Sequence, residues 1–552
     1  MKKWRPATTQ KTGRHRKAIR VGYYNLKIIK MKKENSPQKM NLVFCLSALL
    51  IFGYAPVIAQ KAMLYPNLAM GQYEVGYKTI IDFDYSRTYN LKYPNDTSSQ
   101  NHDPRPIIIN IWYPAKTNPK DKPMLYGDYI KTQTQDATLK TFIKRIEDYN
   151  EKNSALYMFY SDSLNKEQKE KFAKHLQQPI SVFKNATPLN KKFPLVIYHA
   201  GLGGTLNDNT VLYEYLASHG FVVLSGSFQA NSYETVSLNW DLERSTKDID
   251  FMLNAIKNLP FIDFSRIAAI GQSYGAQAIL GYKTENYSPV SCLISLDNTF
   301  DYSIDVNPEG FAPLTEKLYK KIKNMNVPSL VFAGPTALFK VMDSLIYSDR
   351  VYATIKLGHN EYTSLSSFAI LKGLQNRKDR DTVWSKYVLI NEYCLNYLRY
   401  NFFNDTTAKK FILSKHPYIV DVYEIPKGKA VSKDIPEYTD FSNPPTYFQF
   451  QKLLKDRNKE TIDKIIKKYP EQLDEDAINN AGYSFLKKDI EFAIYLFQKN
   501  VELHQKSWNV YDSLGEAYMI KGEKELAVKN YNKSIELNPK NENGLKMLEK
   551  LR

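Results

Sequence analysis

From about residue 73 to 115, apolar and polar positions alternate with a period of two. Tyr77-Lys78-Thr79-Ile80-Ile81-Asp82-Phe83 and Pro106-Ile107-Ile108-Ile109-Asn110-Ile111-Trp112-Tyr113 therefore read as two strands with a polar loop between them. Over residues 116–190 the rhythm changes: the stretch is charged, and Leu139, Phe142, Ile143 and Ile146 recur at helical spacing. It reads as a helical insertion and a candidate lid. From Phe193 a regular alternation sets in. Strands are expected at Phe193 to Tyr198, Phe221 to Ser225, Ile267 to Ile270, Ser291 to Leu296, Pro328 to Ala333 and Val351 to Leu357. Helices are expected at Asn209 to His219, at Asp241 to Leu259 with Ile249, Met252, Leu253 and Ile256 on one face, and after Ser273. Short Val/Ile/Leu-rich runs alternating with helices predict an α/β fold with a mostly parallel sheet covered on both faces. Ligands of such a sheet bind at the carboxyl ends of its strands.

Residues 404–445 turn polar and carry Pro417, Pro426, Pro436, Pro444 and Pro445, the composition of a linker. Beyond it the pattern is purely helical and repeats with a period of 34: Ala493 matches Ala527, Phe497 matches Tyr531, and Leu503 matches Leu537. Trp508, Leu514-Gly515, Tyr518, Ala527, Tyr531 and Pro539 resemble the tetratricopeptide repeat consensus. The resemblance implies an all-α region over 446–552, with repeats at about 473–506 and 507–540 and a polar capping helix over 541–551. Two repeats are fewer than a free-standing stack needs. They are expected either to bind a peptide or to dock on the preceding domain, which is placed at 61–403.

Charge separates the first 60 residues from the rest. They hold 13 Lys/Arg and one acid, so +12 of the formal +18 lies there and only +6 is spread over the remaining chain. That remainder is an ordinary solvated surface, not a nucleic-acid stripe. The basic start has a simpler reading. Met31 to Lys39 is a positive n-region, Leu42 to Ile51 an apolar core too short to span a bilayer, and Ala55-Pro56-Val57-Ile58-Ala59-Gln60 offers small residues for cleavage near Ala59. The thirty residues before Met31 make an unusual n-region for a secretory signal, which points to a translation start at Met31 or Met40. The mature form is then exported, without a stable membrane span. Only Cys292 and Cys394 would remain in it, which indicates no disulfide framework.

The candidate chemistry centres on Gly271-Gln272-Ser273-Tyr274-Gly275, directly after the apolar run Arg266 to Ile270. A G-x-S-x-G pentapeptide between a buried strand and a helix is the context of a nucleophile elbow. Its glycines let the two backbones pass close to a strained turn. A seryl nucleophile needs a base, an orienting acid and oxyanion donors. Of the eight histidines only His359, His416 and His504 follow Ser273. His416 falls in the proline-bearing connector and His504 in the repeats, whereas His359 comes straight after a strand. Asp297 ends the strand Ser291 to Leu296, with Asp301 as the alternative acid; the next strand, Pro328 to Ala333, ends in Gly334-Pro335-Thr336, without an acid. The amides of Tyr274 and of Leu202, in the glycine-rich His199-Ala200-Gly201-Leu202-Gly203-Gly204, are the candidate oxyanion donors. No P-loop Lys-Ser/Thr follows that turn, and no His/Cys/carboxylate spacing suggests a metal.

Residues from about 105 to 365 resemble the α/β-hydrolase superfamily, nearest the platelet-activating-factor acetylhydrolase and dienelactone-hydrolase-like branch. The residues that carry the resemblance are Ile111-Trp112-Tyr113-Pro114-Ala115, Gly201-Leu202-Gly203-Gly204, the elbow at Ser273, Asp297 and His359. The acetylhydrolase type places its acid where Asp297 stands; dienelactone hydrolases place theirs one strand later and use a cysteine in place of Ser273. Where the family has His-Gly-Leu-Gly, Ala200 precedes Gly201 here and His199 lies one position earlier. The resemblance implies hydrolysis of carboxylic esters, small or lipid-like, through an acyl-enzyme and without a cofactor. A peptidase or acyltransferase on the same three side chains is the alternative. A third reading is a non-catalytic binding protein whose repeats supply the function.

Overall fold

The computed structural model describes residues 64–89, 103–132, 134, 139–161, 163–226, 228, 242–305, 311–430, 437–470 and 475–551. The basic start and the signal-like segment, with its cleavage position near Ala59, lie outside the described residues.

The expected strands assemble into one sheet of order β11-β10-β9-β8-β7-β5-β6-β2-β1-β3, with the short β4 (Thr187–Pro188) against β2. Its centre is parallel and comprises β5 (Phe193–His199), β6 (Val222–Gly226), β7 (Ile262–Gln272), β8 (Cys292–Leu296), β9 (Ser329–Ala333) and β10 (Arg350–Ile355). The long β1 (Glu74–Tyr89) and β2 (Asp103–Lys116) form an antiparallel pair, and β2 joins the centre antiparallel to β6. Every residue of β5, β6, β8, β9 and β10 is buried, which explains why these segments read as continuous apolar runs. Alternate side chains feed opposite faces. Val196, Tyr198, Ile270 and Ile294 join one core, while Leu195, Ile197, Ala269 and Leu293 join the other. Helices cover both faces in the α/β-hydrolase arrangement. Among them are α3 (Thr210–Ser218), α4 (Leu242–Ile256), α5 (Tyr274–Lys283), α6 (Ala312–Lys320), α7 (Lys340–Ser344), α8 (Ser364–Leu371) and α9 (Arg380–Phe403).

Two boundaries differ from expectation. The insertion returns to the sheet before residue 190, because β3 (Val182–Lys184) pairs with β1 and β4 with β2. Its helices are α1 (Lys140–Phe159) and α2 (Lys166–Leu176). The proline-bearing stretch 404–445 is not linker throughout. Asp405 caps α10 (Thr406–Leu413), and β11 (Ile419–Ile425) forms the antiparallel edge against β10. Pro417 and Pro426 flank that alternating Ile-Val-Asp-Val-Tyr-Glu-Ile run instead of interrupting it.

The region after residue 446 is helical: α11 (Tyr447–Lys455), α12 (Lys459–Lys468), α13 (Glu475–Phe485), α14 (Ile490–Leu503), α15 (Trp508–Lys521), α16 (Lys524–Leu537) and α17 (Glu542–Leu551). The period of 34 has a packing cause. A Cβ on Gly482 would lie 2.5 Å from the Phe497 ring, and one on Gly515 would lie 3.1 Å from the Tyr531 ring. Each aromatic thus sits over a glycine of the preceding helix, and Ala493 and Ala527 are fully buried beside them. Lys455 on α11 pairs with Asp305 of the preceding domain. Among the described residues no helix is long and apolar enough to cross a membrane.

Candidate active site

The turn from β7 into α5 is tight enough to require both glycines of the pentapeptide. A Cβ on Gly271 would meet the Gly275 carbonyl at 2.3 Å, and one on Gly275 would meet the His199 carbonyl oxygen at 2.0 Å. Between them Ser273 adopts φ 54°, ψ −119°, a conformation that L-residues rarely populate. Its amide donates to the Leu296 carbonyl oxygen at 3.0 Å, which ties the elbow to the end of β8. Ser273 is 9% exposed and stands at the N-terminus of α5, where the helix dipole favours negative charge.

Two strands deliver the other groups to the same rim. Asp297 follows β8 directly, with φ 49° and its amide donating to the Phe332 carbonyl oxygen at 2.7 Å. His359 follows β10 in a one-turn 3-10 helix over His359–Tyr362. Its Nδ1 lies 2.6 Å from Asp297 Oδ2, and since a carboxylate only accepts, that nitrogen carries the proton. The Nε2 lone pair is thereby left to act as a base. The carboxylate is 6% exposed and the imidazole 41%, so the pair is sealed behind and open in front. Asp301, the alternative acid, is fully buried instead. Its two carboxyl oxygens have no hydrogen-bond partner among the described residues, and burial raises its pKa well above the usual range.

The glycine-rich loop passes directly over Ser273. A Cβ on Gly201 would lie 3.3 Å from Ser273 Cβ and 2.3 Å from Gln272 Oε1. Gly204 N–H closes a turn on the Gly201 carbonyl oxygen at 3.0 Å, and Gly203 takes φ +73°. Leu202 lies at the tip of that turn with its side chain 38% exposed. Tyr274 follows Ser273 as the first residue of α5, its side chain buried.

Four side chains near these groups carry no sequence signal of their own. Gln272 donates to the His359 carbonyl oxygen at 3.2 Å and comes within 3.5 Å of His359 Nε2, bridging elbow and histidine loop. Tyr302 donates to Asp297 Oδ1. From α1, Tyr149 reaches the Gly203 carbonyl oxygen at 3.4 Å, while the Tyr157 hydroxyl would lie 3.2 Å from a Cβ on Gly203. Further contacts, Leu206 N–H to Asn150 and Ser154 to Asn207, seat this helix on the segment after the loop. With Ile143, Ile146, Ala155 and Met158 buried in the cores, α1 is an anchored wall of the site. His199 is structural: it stacks on Phe228, and its ring nitrogens engage the Ala200 carbonyl oxygen at 2.8 Å and Ser245 Oγ at 3.0 Å. Burial lowers its pKa to about 4, so it stays neutral.

Beneath the loop lie two buried carboxyls. Glu214 accepts from Tyr65 at 2.9 Å and Tyr129 at 3.0 Å, and Asp208 accepts from Tyr198 at 3.0 Å. Desolvation raises both to about 7. The folded form therefore binds these protons more tightly than the unfolded chain, so their stabilising contribution is full in acid and is lost as pH rises from about 4 to 7. The thermal midpoint should fall across that window, and Glu214→Gln should flatten part of the fall. A slope identical to the parent's would contradict this.

A family model described as esterase FrsA-like matches residues 164–299, a segment that includes Ser273 and Asp297 and stops before His359. Over these residues the chain is similar to an esterase family, in agreement with its α/β-hydrolase fold. No curated protein matches the chain. Among solved structures it is similar to a ferulic acid esterase from Streptomyces cinnamoneus, with 15% identity, 61% of this chain and 93% of that chain covered, and a TM-score of 0.40.

Proposed function

We propose that this chain is an exported serine hydrolase that cleaves carboxylic esters through an acyl-enzyme. The observation that carries the reading is the 2.6 Å contact of His359 Nδ1 with Asp297, at the same strand rim as an elbow that holds Ser273 at positive φ. The esterase family match over 164–299 supports the substrate class. His359 Nε2 takes the Ser273 proton as Oγ bonds to the ester carbonyl carbon, and Asp297 stabilises the imidazolium. The Leu202 and Tyr274 amides hold the tetrahedral oxyanion. Collapse breaks the bond to the alcohol oxygen, which leaves with the proton from His359. Water, deprotonated by the same imidazole, then attacks the acyl-enzyme and frees the acid and Ser273.

Export rests on the signal-like segment ending near Ala59, and the helical pairs over about 473–506 and 507–540 are read as tetratricopeptide repeats. The pair of Lys455, on the helix α11 ahead of them, with Asp305 of the hydrolase domain supports intramolecular docking of this helical region.

The test is covalent. Purified protein should hydrolyse a short-chain nitrophenyl ester, and a fluorophosphonate probe should leave one adduct, on the peptide containing Ser273. Esterase activity with the adduct on another serine, or neither activity nor adduct, rejects the reading.

A further inference from the structure

The oxygen of Asp297 that faces away from His359 is held by a residue with no part in the chemistry described so far. Tyr302 ends a short 3-10 helix, Thr299–Tyr302, that leaves the strand tip carrying Asp297, and its hydroxyl returns to Asp297 Oδ1. The same hydroxyl oxygen accepts the Gly334 amide proton at 2.6 Å. An amide can only donate, so the direction of the chain is forced. Gly334 N–H donates to the tyrosyl oxygen, whose own proton must go to the carboxylate. Gly334 belongs to the turn after β9, the next strand tip, where Gly334-Pro335-Thr336 offers no acid.

We infer that Tyr302 is a positioning residue for the proposed triad, clamping Asp297 against His359 by tying its second oxygen to the amide at the end of β9. The inference rests on the reading of Ser273, Asp297 and His359 as a working triad. Without the clamp, the backbone bond from Asp297 to Phe332 fixes the main chain, and only the His359 contact limits the carboxylate's freedom to rotate about its side-chain torsions. The bond to Oδ1 removes that freedom and leaves Oδ2 aimed at the imidazole.

The groups that face this carboxylate do not compete for it. Burial raises the pKa of Tyr302 and Tyr362, so that each keeps its proton at neutral pH, and raises that of Asp301 well above the usual carboxylate range. Asp343 lies near Asp301, not against His359. On the other side of the imidazole stands the uncharged amide of Gln272, and Glu361 is turned to the Gly358 amide and Arg377.

Tyr302→Phe removes the hydroxyl and keeps the ring. In the full chain kcat should fall about 10- to 100-fold, by analogy with the loss of a hydrogen-bond partner behind a metal-binding side chain, with KM within about twofold of the parent. The decisive readout is the acid limb of kcat/KM. An imidazole that loses its anionic partner part of the time gives up its proton more readily, so the limb should move to lower pH. Gly334→Ala approaches the clamp from its other end. The new Cβ would lie 2.9 Å from the Tyr302 hydroxyl oxygen and push it off, so the same changes are expected in smaller measure. If Tyr302→Phe folds poorly, Gly334→Ala decides. A kcat equal to the parent's, or a lower kcat with the acid limb unmoved or moved up, overturns the inference. Fluorophosphonate labelling separates the two layers. If the parent protein is not labelled at Ser273, the triad reading has failed. If it is labelled and the variants react at the parental rate, only the clamp has failed.

Discussion

Ser273→Ala should lower kcat on a nitrophenyl ester by about 10⁶-fold while leaving KM close to its parental value, because only the bond-forming oxygen is lost. The fold should tolerate the change. Ser273 is held by its backbone, through its amide bond to Leu296 and the close passage of Gly271 and Gly275 around it. Removing one hydroxyl leaves all of these in place. Alanine would still have to adopt φ 54°, so a modest loss of thermal stability is compatible with the expectation. A variant with even a tenth of the parental rate, free of contaminating esterase, would show that another group attacks the substrate.

Asp297→Asn should cost about 10⁴-fold in kcat. The geometry gives the reason: His359 Nδ1 must donate to Asp297 Oδ2 for Nε2 to be the basic nitrogen, and the two atoms are 2.6 Å apart. An asparagine can turn its NH₂ toward Nδ1, which then carries the lone pair and leaves the proton on Nε2, where the proposed mechanism needs a base. Tyr302 favours this failure, because its hydroxyl proton requires the oxygen of the new amide on its own side. Steady-state kinetics with active-site titration would measure the loss. A fall of less than about tenfold would show that the carboxylate is not the partner on which the base depends. Asp301 offers no rescue, being fully buried with both oxygens unpartnered among the described residues.

The sheet was legible in the chain because its central strands are buried on both faces, so each appears as an uninterrupted apolar run between helical stretches. The elbow was legible because steric demand writes it into adjacent residues: a backbone that passes 2.0 Å from where a Cβ would stand admits only glycine. The helical pairs after residue 446 showed for a related reason, since an aromatic over a small residue recurs with the structural period. In each case the cause is local or periodic, and composition within a short window records it.

Other features depend on residues that meet only after folding. The choice between Asp297 and Asp301 is four residues wide in the chain, but it is decided by which carboxylate the end of β8 turns toward His359. The positive φ at Asp297 that makes this turn has no glycine to announce it. Tyr302, Gly334 and Gln272 look like ordinary loop and turn residues until three strand tips converge. The edge strand over Ile419–Ile425 hid among prolines that merely bracket it, and pairing with Arg350–Ile355, far back in the chain, gives it its place. Residue type and spacing encode what a backbone can do on its own. Which polar groups end up within 3 Å of each other across distant segments is decided by how the sheet packs and where its strands stop.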